Sequence, residues 1–187
     1  GESYVVAAPF NYIQGLTVND KFNAFNGTHV TSDRPIAMNS GSFLASYSSG
    51  GQDAGVDQIV PVSQLNNEFI LVQGQATNIL IETAMIVAVE DNTEIFVNGD
   101  SSPAHIINKG EYVVVTGENY NNGTMYLKTS NPAMVYQNLA GSNSFATVGM
   151  VFVPGLMEEA SRSVLVSGAN SIGDLSIYIV ANKGQPV

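Results

Sequence analysis

Short runs of β-branched and aromatic residues recur along almost the whole chain, bounded by Gly, Asn, Asp and Pro. This pattern predicts strands, because branched and aromatic side chains suit a pleated, half-buried surface and the bounding residues suit turns. Tyr4–Ala7 and Phe69–Val72 are two such runs, and Tyr112–Val115 follows Gly110 as a third. Met85–Val89, the polar Glu90-Asp91-Asn92 and Thr93–Val97 read as a hairpin, and Asn98-Gly99 turns the chain again. Helical character is confined to Gly155–Ser163, around Met157-Glu158-Glu159-Ala160. That stretch is too short to hold a helix by itself, so a single turn or a loop is expected there.

The strands repeat as a group. Gly27-Thr28-His29-Val30-Thr31-Ser32-Asp33-Arg34-Pro35-Ile36-Ala37-Met38 has a counterpart in Gly123-Thr124-Met125-Tyr126-Leu127-Lys128-Thr129-Ser130-Asn131-Pro132-Ala133-Met134. Each block predicts a strand–turn–strand unit in which proline ends the first ladder. A Gly/Ser-rich loop and a Val-Pro strand end follow both, at Ile59-Val60-Pro61 and Phe152-Val153-Pro154. More weakly, Phe69–Gly74 matches Val164–Gly168, and Ile81–Val89 matches Leu175–Lys183. The chain therefore divides into a tail over residues 13–66, a full unit over 67–156 and a head over 157–187. Joining the last head to the first tail would remove exposed strand edges; equally, the chain is a piece of a longer repeating protein. Length allows one domain or two small ones. A β-sandwich-like architecture from two related units is expected, with a β-propeller as the alternative.

Composition narrows the function. Sixteen acids against six bases give a net charge of −10, a surface that repels phosphate backbones and excludes nucleic acid as a partner. Charged residues make up only 12% and hydrophobic residues 44%, enough apolar content to fold. There is no cysteine, which removes disulfides and thiolate metal sites. The longest apolar run, Ile79–Val89, is interrupted by Glu82 and Thr83, so no membrane span is expected. No targeting leader is legible, and the chain is read as part of a longer protein.

Candidate chemistry is sparse. His29 and His105 are the only histidines; Met125 replaces His29 in the second copy, and His105 has no partner nearby in sequence. No Gly-x-Ser-x-Gly elbow accompanies them, so no nucleophilic site is assigned. Glu90, Asp91 and Glu94 fall at a turn, where acids bind turn amides, and Glu158 and Glu159 read as solvated. No catalytic residue and no cofactor is assigned. Gln52–Asp57 reads as a Gly-bearing loop with Asp53 and Asp57, a weak calcium candidate without the EF-hand pattern. Asn26-Gly27-Thr28 and Asn122-Gly123-Thr124 are glycosylation sequons at Asn26 and Asn122, yet Asn-Gly is also the favoured hairpin turn.

Thr31–Ser42 and Tyr126–Tyr136 resemble the IgGFc-binding-protein N-terminal domain family. Val89–Ile95, with its Glu-Asp-Asn-Thr stretch, and Lys109-Gly110-Glu111-Tyr112 are similar to two further family elements. Tyr136–Gly141 and Gly149–Leu156 resemble the form found in large secreted surface proteins of gliding or marine bacteria. The resemblance covers most of residues 13–156. It implies an extracellular or cell-surface location, usually in multidomain proteins of adhesion or mucus-like matrices, and carries no catalytic residues. Many relatives carry cysteine near the segment matching Gly55-Val56-Asp57-Gln58, and this chain does not; antibody binding is not transferred.

The expected function is a non-catalytic structural or adhesive module. Its partners would be other protein domains, copies of itself in a homo-oligomer or filament, or cell-surface and matrix components. A carbohydrate-binding domain is the alternative and needs an aromatic platform, for which Tyr47, Tyr120, Tyr126 and Tyr136 are available but no Trp. A glycosidase-like enzyme is the least favoured reading.

Overall fold

The computed structural model describes residues 27–45, 53–76, 78–140 and 147–157. Nine strands are described: β1 (Asn39–Ala45), β2 (Asp53–Gln58), β3 (Asn66–Val72), β4 (Ala84–Ala88), β5 (Thr93–Val97), β6 (His105–Ile107), β7 (Tyr112–Val115), β8 (Thr124–Ala140) and β9 (Thr147–Phe152). Three short 3-10 turns, Val62–Gln64, Ile79–Ile81 and Gly117–Asn119, are the only helical elements among the described residues. The all-β class expected from the sequence holds.

β8 organises the fold. Its first half lies between β3 and β5, and its second half lies between β4 and β9, all antiparallel. β6 and β7 flank β5 and β4 in turn, which completes a nearly closed, barrel-like sheet of seven strands. Side chains alternate across each strand. Ala84, Ile86 and Ala88 of β4 and Thr93, Ile95 and Val97 of β5 point inward, as do Met125, Leu127, Val135 and Phe69. Except for Thr93 these belong to one continuous hydrophobic cluster, so both halves of the sheet close on the same core. Burying each large side chain contributes about 1.5–3 kcal/mol.

Two expectations are corrected. First, Met85–Val97 is not a hairpin. β4 pairs with residues 133–137 of β8 and β5 with residues 127–129, so they follow one another along a single neighbour in the same direction. Second, Gly123–Met134 is not strand–turn–strand, because β8 runs through Pro132 without reversing. Gly27–Met38 carries no strand at all, so the two sequence blocks differ in conformation.

The physical reason in both cases is a polar seam that crosses the sheet. The chain sidesteps at residues 89–92 and 108–111, and beside them at Ser130-Asn131-Pro132 of β8. Asn92 has φ 55° and Gly110 φ 81°, which lets the strands step out and resume. Polar groups then satisfy one another across the step. Lys109 N–H donates to Asp91 Oδ1 at 3.1 Å, Asn92 N–H to Asn108 Oδ1 at 3.2 Å, and Glu94 N–H to Ser130 Oγ at 2.9 Å. Asn131 Nδ2 donates to Thr93 Oγ1 at 3.3 Å, and Thr129 Oγ1 to the Asn131 carbonyl at 2.6 Å. A strand can thus bend at a proline without losing its ladder on either side.

β1 and β2 form a separate two-stranded hairpin that packs on β9. The expected loop at Gln52–Asp57 is instead largely strand: Asp53–Gln58 is β2, pairing with β1. Of the stretch expected as a turn or loop at Gly155–Ser163, residues 155–157 carry no helix and 158–163 lie outside the described residues. So do Tyr4–Ala7, Asn26, Tyr47, Val164–Gly168 and Leu175–Lys183.

Candidate functional site

The alternation that sends Phe69, Ile95 and Leu127 inward sends Glu68, Phe96, Tyr126 and Lys128 outward. Phe96 stands opposite Lys128 across β5 and β8, and Lys128 opposite Glu68 across β8 and β3. Three neighbouring strands thereby present one transverse row. Phe96, Gly99, Asp100, Tyr126 and Lys128 line an open depression of about 350 Å³ on this face.

Its polar groups are ordered. Lys128 Nζ donates to Glu68 Oε1 at 2.9 Å, with both side chains solvent-accessible. Tyr126 lies beside them on the same outward face. The hydrogen bond with Lys128 holds the Glu68 carboxyl below its ordinary value, and Glu68 in turn raises Lys128. Burial, then the Glu68 charge, raise the Tyr126 phenol. Exposed as it is, the ion pair is screened by solvent and adds little to stability; it orients the side chains beside Phe96.

Asn98 builds the rim. With Asn98 at φ 53° and Gly99 at φ 83°, the pair forms a turn closed by Asp100 N–H donating to the Val97 carbonyl. The Asn98 side chain accepts from Tyr126 N–H at 3.1 Å and donates to the Asn119 carbonyl at 2.7 Å, tying this turn to β8 and to the 3-10 turn at 117–119.

The residues singled out from the sequence are dispersed. His29 lies in the exposed arm ahead of β1 and His105 opens β6, also exposed. Asp91 serves the seam, and Glu90 and Glu94 meet it through backbone atoms. The Asp57 carboxylate accepts from Gln58 N–H at 2.7 Å and from Phe152 N–H at 2.6 Å, fastening the β1–β2 hairpin to β9. Asn122 is exposed with φ 50° in a two-residue turn between Asn121 and Thr124, the geometry Asn-Gly supplies unaided. Of the four candidate platform tyrosines, Tyr126 lines the depression, while Tyr120 and Tyr136 are packed into the fold. Among the described residues no group of three or more His, Asp or Glu is arranged to hold a metal ion.

Sequence reasoning missed Glu82, which it took only as an interruption of an apolar run. Glu82 is fully buried. Its Oε2 accepts from Gly74 N–H at 2.6 Å and its Oε1 from Ala76 N–H at 2.9 Å. Gln137 Nε2 donates to the Val72 carbonyl at 2.6 Å and to the Tyr120 hydroxyl at 2.9 Å close by. Gly117 lies against the Ile79 and Glu82 carbonyls, where a Cβ would overlap both. An acid inside an apolar run, with glycines eight residues before it and well beyond it, is the only hint the sequence offers.

The buried phenols give an alkaline signature. Burial, reinforced by the Asp57 charge, pushes Tyr136 up to about 12, and burial and then the Glu82 charge push Tyr120 up as well. A phenol harder to ionise in the fold contributes stability that is complete below about pH 10, its ordinary value, and is lost as pH rises towards the folded value. The urea midpoint is therefore expected to hold constant to about pH 10 and then fall, with phenolate absorbance growing as the chain unfolds. The Tyr136 hydroxyl is buried without a hydrogen-bond partner, so Tyr136→Phe should cost little at neutral pH and should weaken the alkaline fall. An identical fall in that variant would refute the assignment.

No curated protein and no solved structure matches the chain. A family model described as IgGFc binding protein matches residues 1–186. That span includes β8, the seam and the open face, and by it the chain belongs to the IgGFc binding protein family.

Proposed function

We propose that the chain is a non-catalytic binding module of a large extracellular or cell-surface protein, acting in adhesion or matrix assembly through protein–protein or surface contacts. The observation that carries this reading is the outward face of β3, β8 and β5. It offers two aromatic rings, Phe96 and Tyr126, beside a pre-ordered Glu68–Lys128 pair in a depression open to solvent. Aromatic side chains with a polar rim are the usual anchors of protein interfaces. An open face suits a broad partner better than a small substrate, which is ordinarily enclosed. Family membership supports the reading, since the name describes binding.

A carbohydrate ligand is the second reading. It is favoured by Tyr126 and Phe96 sharing one depression with Asp100 and with Lys128, which is paired to Glu68, since such polar groups suit sugar hydroxyls. Both readings are tested on one surface. The chain is applied to a panel of polysaccharides and extracellular-matrix proteins, alongside a Phe96→Ala, Tyr126→Ala double variant. A binder among the panel that the double variant holds at least ~10-fold more weakly is expected, consistent with loss of an aromatic anchor. Equal binding by the two forms, or no binding by either, sinks the proposal.

A further inference from the structure

We propose that the depression on the outward face of β3, β8 and β5 takes an arginine side chain from a basic segment of a partner protein, seated against Phe96 and Tyr126 with the Asp100 carboxylate as its counter-charge. The inference rests on the contact-surface reading above and deepens it by assigning the partner's charge.

The first support is the distribution of charge on this face. β3, β5 and β8 contain one cation, Lys128, and its Nζ is already engaged by Glu68 Oε1 at 2.9 Å. That is the only ion pair among the described residues, so no cation pairs with Glu94 or Asp100 there. Alternation along β5 puts Glu94 on the same side as Phe96, and the turn after β5 puts Asp100 in the wall of the depression. Glu68, Glu94 and Asp100 against Lys128 leave the face negative, which complements a basic partner and repels an acidic one.

The second support is the chemistry of the depression. Phe96 and Tyr126 line it beside Asp100. Aromatic faces attract cations, and the planar guanidinium of arginine stacks on a ring while its N–H fork engages a carboxylate. A space of about 350 Å³ admits a long side chain. Gly99 leaves the side next to Asp100 open, with no atom within 4 Å of where a Cβ would stand. The turn that carries Asp100 is tied to β8 because the Asn98 side chain accepts from Tyr126 N–H at 3.1 Å. Turn and strand therefore keep their spacing when the partner arrives, which limits the ordering cost of binding.

The third support concerns the competing occupant. The chain carries a net charge of −10. Two copies apposed through this face would bring the same acids together, and like charges oppose that contact.

The test uses the full chain and three dye-labelled hexapeptides, which alternate glycine with arginine, serine or glutamate, read by fluorescence anisotropy. The arginine peptide is expected to bind at least ~10-fold more tightly than the other two and to weaken as salt is raised. Asp100→Asn and Phe96→Ala should each weaken it by about 3–5-fold. Asp33→Asn removes the same charge from the exposed arm ahead of β1 and should change it by less than about 2-fold. Equal weakening by Asp33→Asn and Asp100→Asn overturns the proposal, since binding then follows net charge alone. So does equal or tighter binding of the serine or glutamate peptide, or no binding of the arginine peptide. Self-association in light scattering that Phe96→Ala abolishes overturns it too, since the occupant is then a second copy. The contact-surface reading fails separately. A panel binder that the Phe96→Ala, Tyr126→Ala variant loses and Asp100→Asn keeps leaves the contact surface standing and removes the arginine.

Discussion

Glu82→Ala is expected to lower the stability of the fold by about 3–5 kcal/mol, because it strips a buried acid from the amides built around it. The half-buried Gly74 and Ala76 N–H groups lose their acceptors, and an unpaired donor costs up to about 1–3 kcal/mol where water does not reach it. The cavity adds to this, since Glu82 is fully buried and Gly117 pins the backbone at its carbonyl. Glu82→Gln should fall between, because the amide keeps one acceptor oxygen but turns its NH2 towards a backbone N–H. Urea unfolding of the three forms would check the order. An alanine variant within about 1 kcal/mol of wild type would show that the loop at 73–76 closes without its carboxylate.

Phe69→Ala should be as damaging, at about 3–5 kcal/mol, whereas Phe96→Ala should cost less than about 1 kcal/mol. Both phenylalanines sit on strands that pair with the first half of β8. Phe69 faces inward at 1% exposure and belongs to the central cluster, while Phe96 faces the open depression. Cavity formation penalises only the first. Equal losses in thermal unfolding would mean that the outward face is covered in the native chain, and the proposed contact surface would fall with it.

The stretches that carry the family resemblance acquire a physical role from the seam. The Glu-Asp-Asn-Thr stretch, the Lys-Gly-Glu stretch and the Thr-Ser-Asn-Pro stretch are far apart in sequence, yet each supplies one strand's sidestep at the same level of the sheet. At that level their polar groups meet groups that the bend has released from the ladder.

Much of the fold follows from the sequence alone. Period-two alternation places Ile95 in the core and Phe96 outside, because neighbouring side chains leave a strand on opposite faces. Asn-Gly at 98–99 and 122–123 marks turns that only residues tolerant of positive φ can make. Strand partners, however, are settled by pairings between residues distant along the chain. No local signal could tell that Met85–Val89 and Thr93–Val97 align end to end on β8 instead of against each other, since the polar stretch between them suits a sidestep as well as a reversal. Nor could it tell that Pro132 sits within a strand, because its missing N–H matters only where a neighbour needs it. The site divides in the same way. Tyr126 was available as a platform tyrosine and Phe96 as a residue of a predicted strand, but their meeting beside Glu68 required three strands in register. Glu82 became legible only once the fold brought two loop amides to its carboxylate, because a charge is tolerated in a core only where tertiary structure supplies its partners.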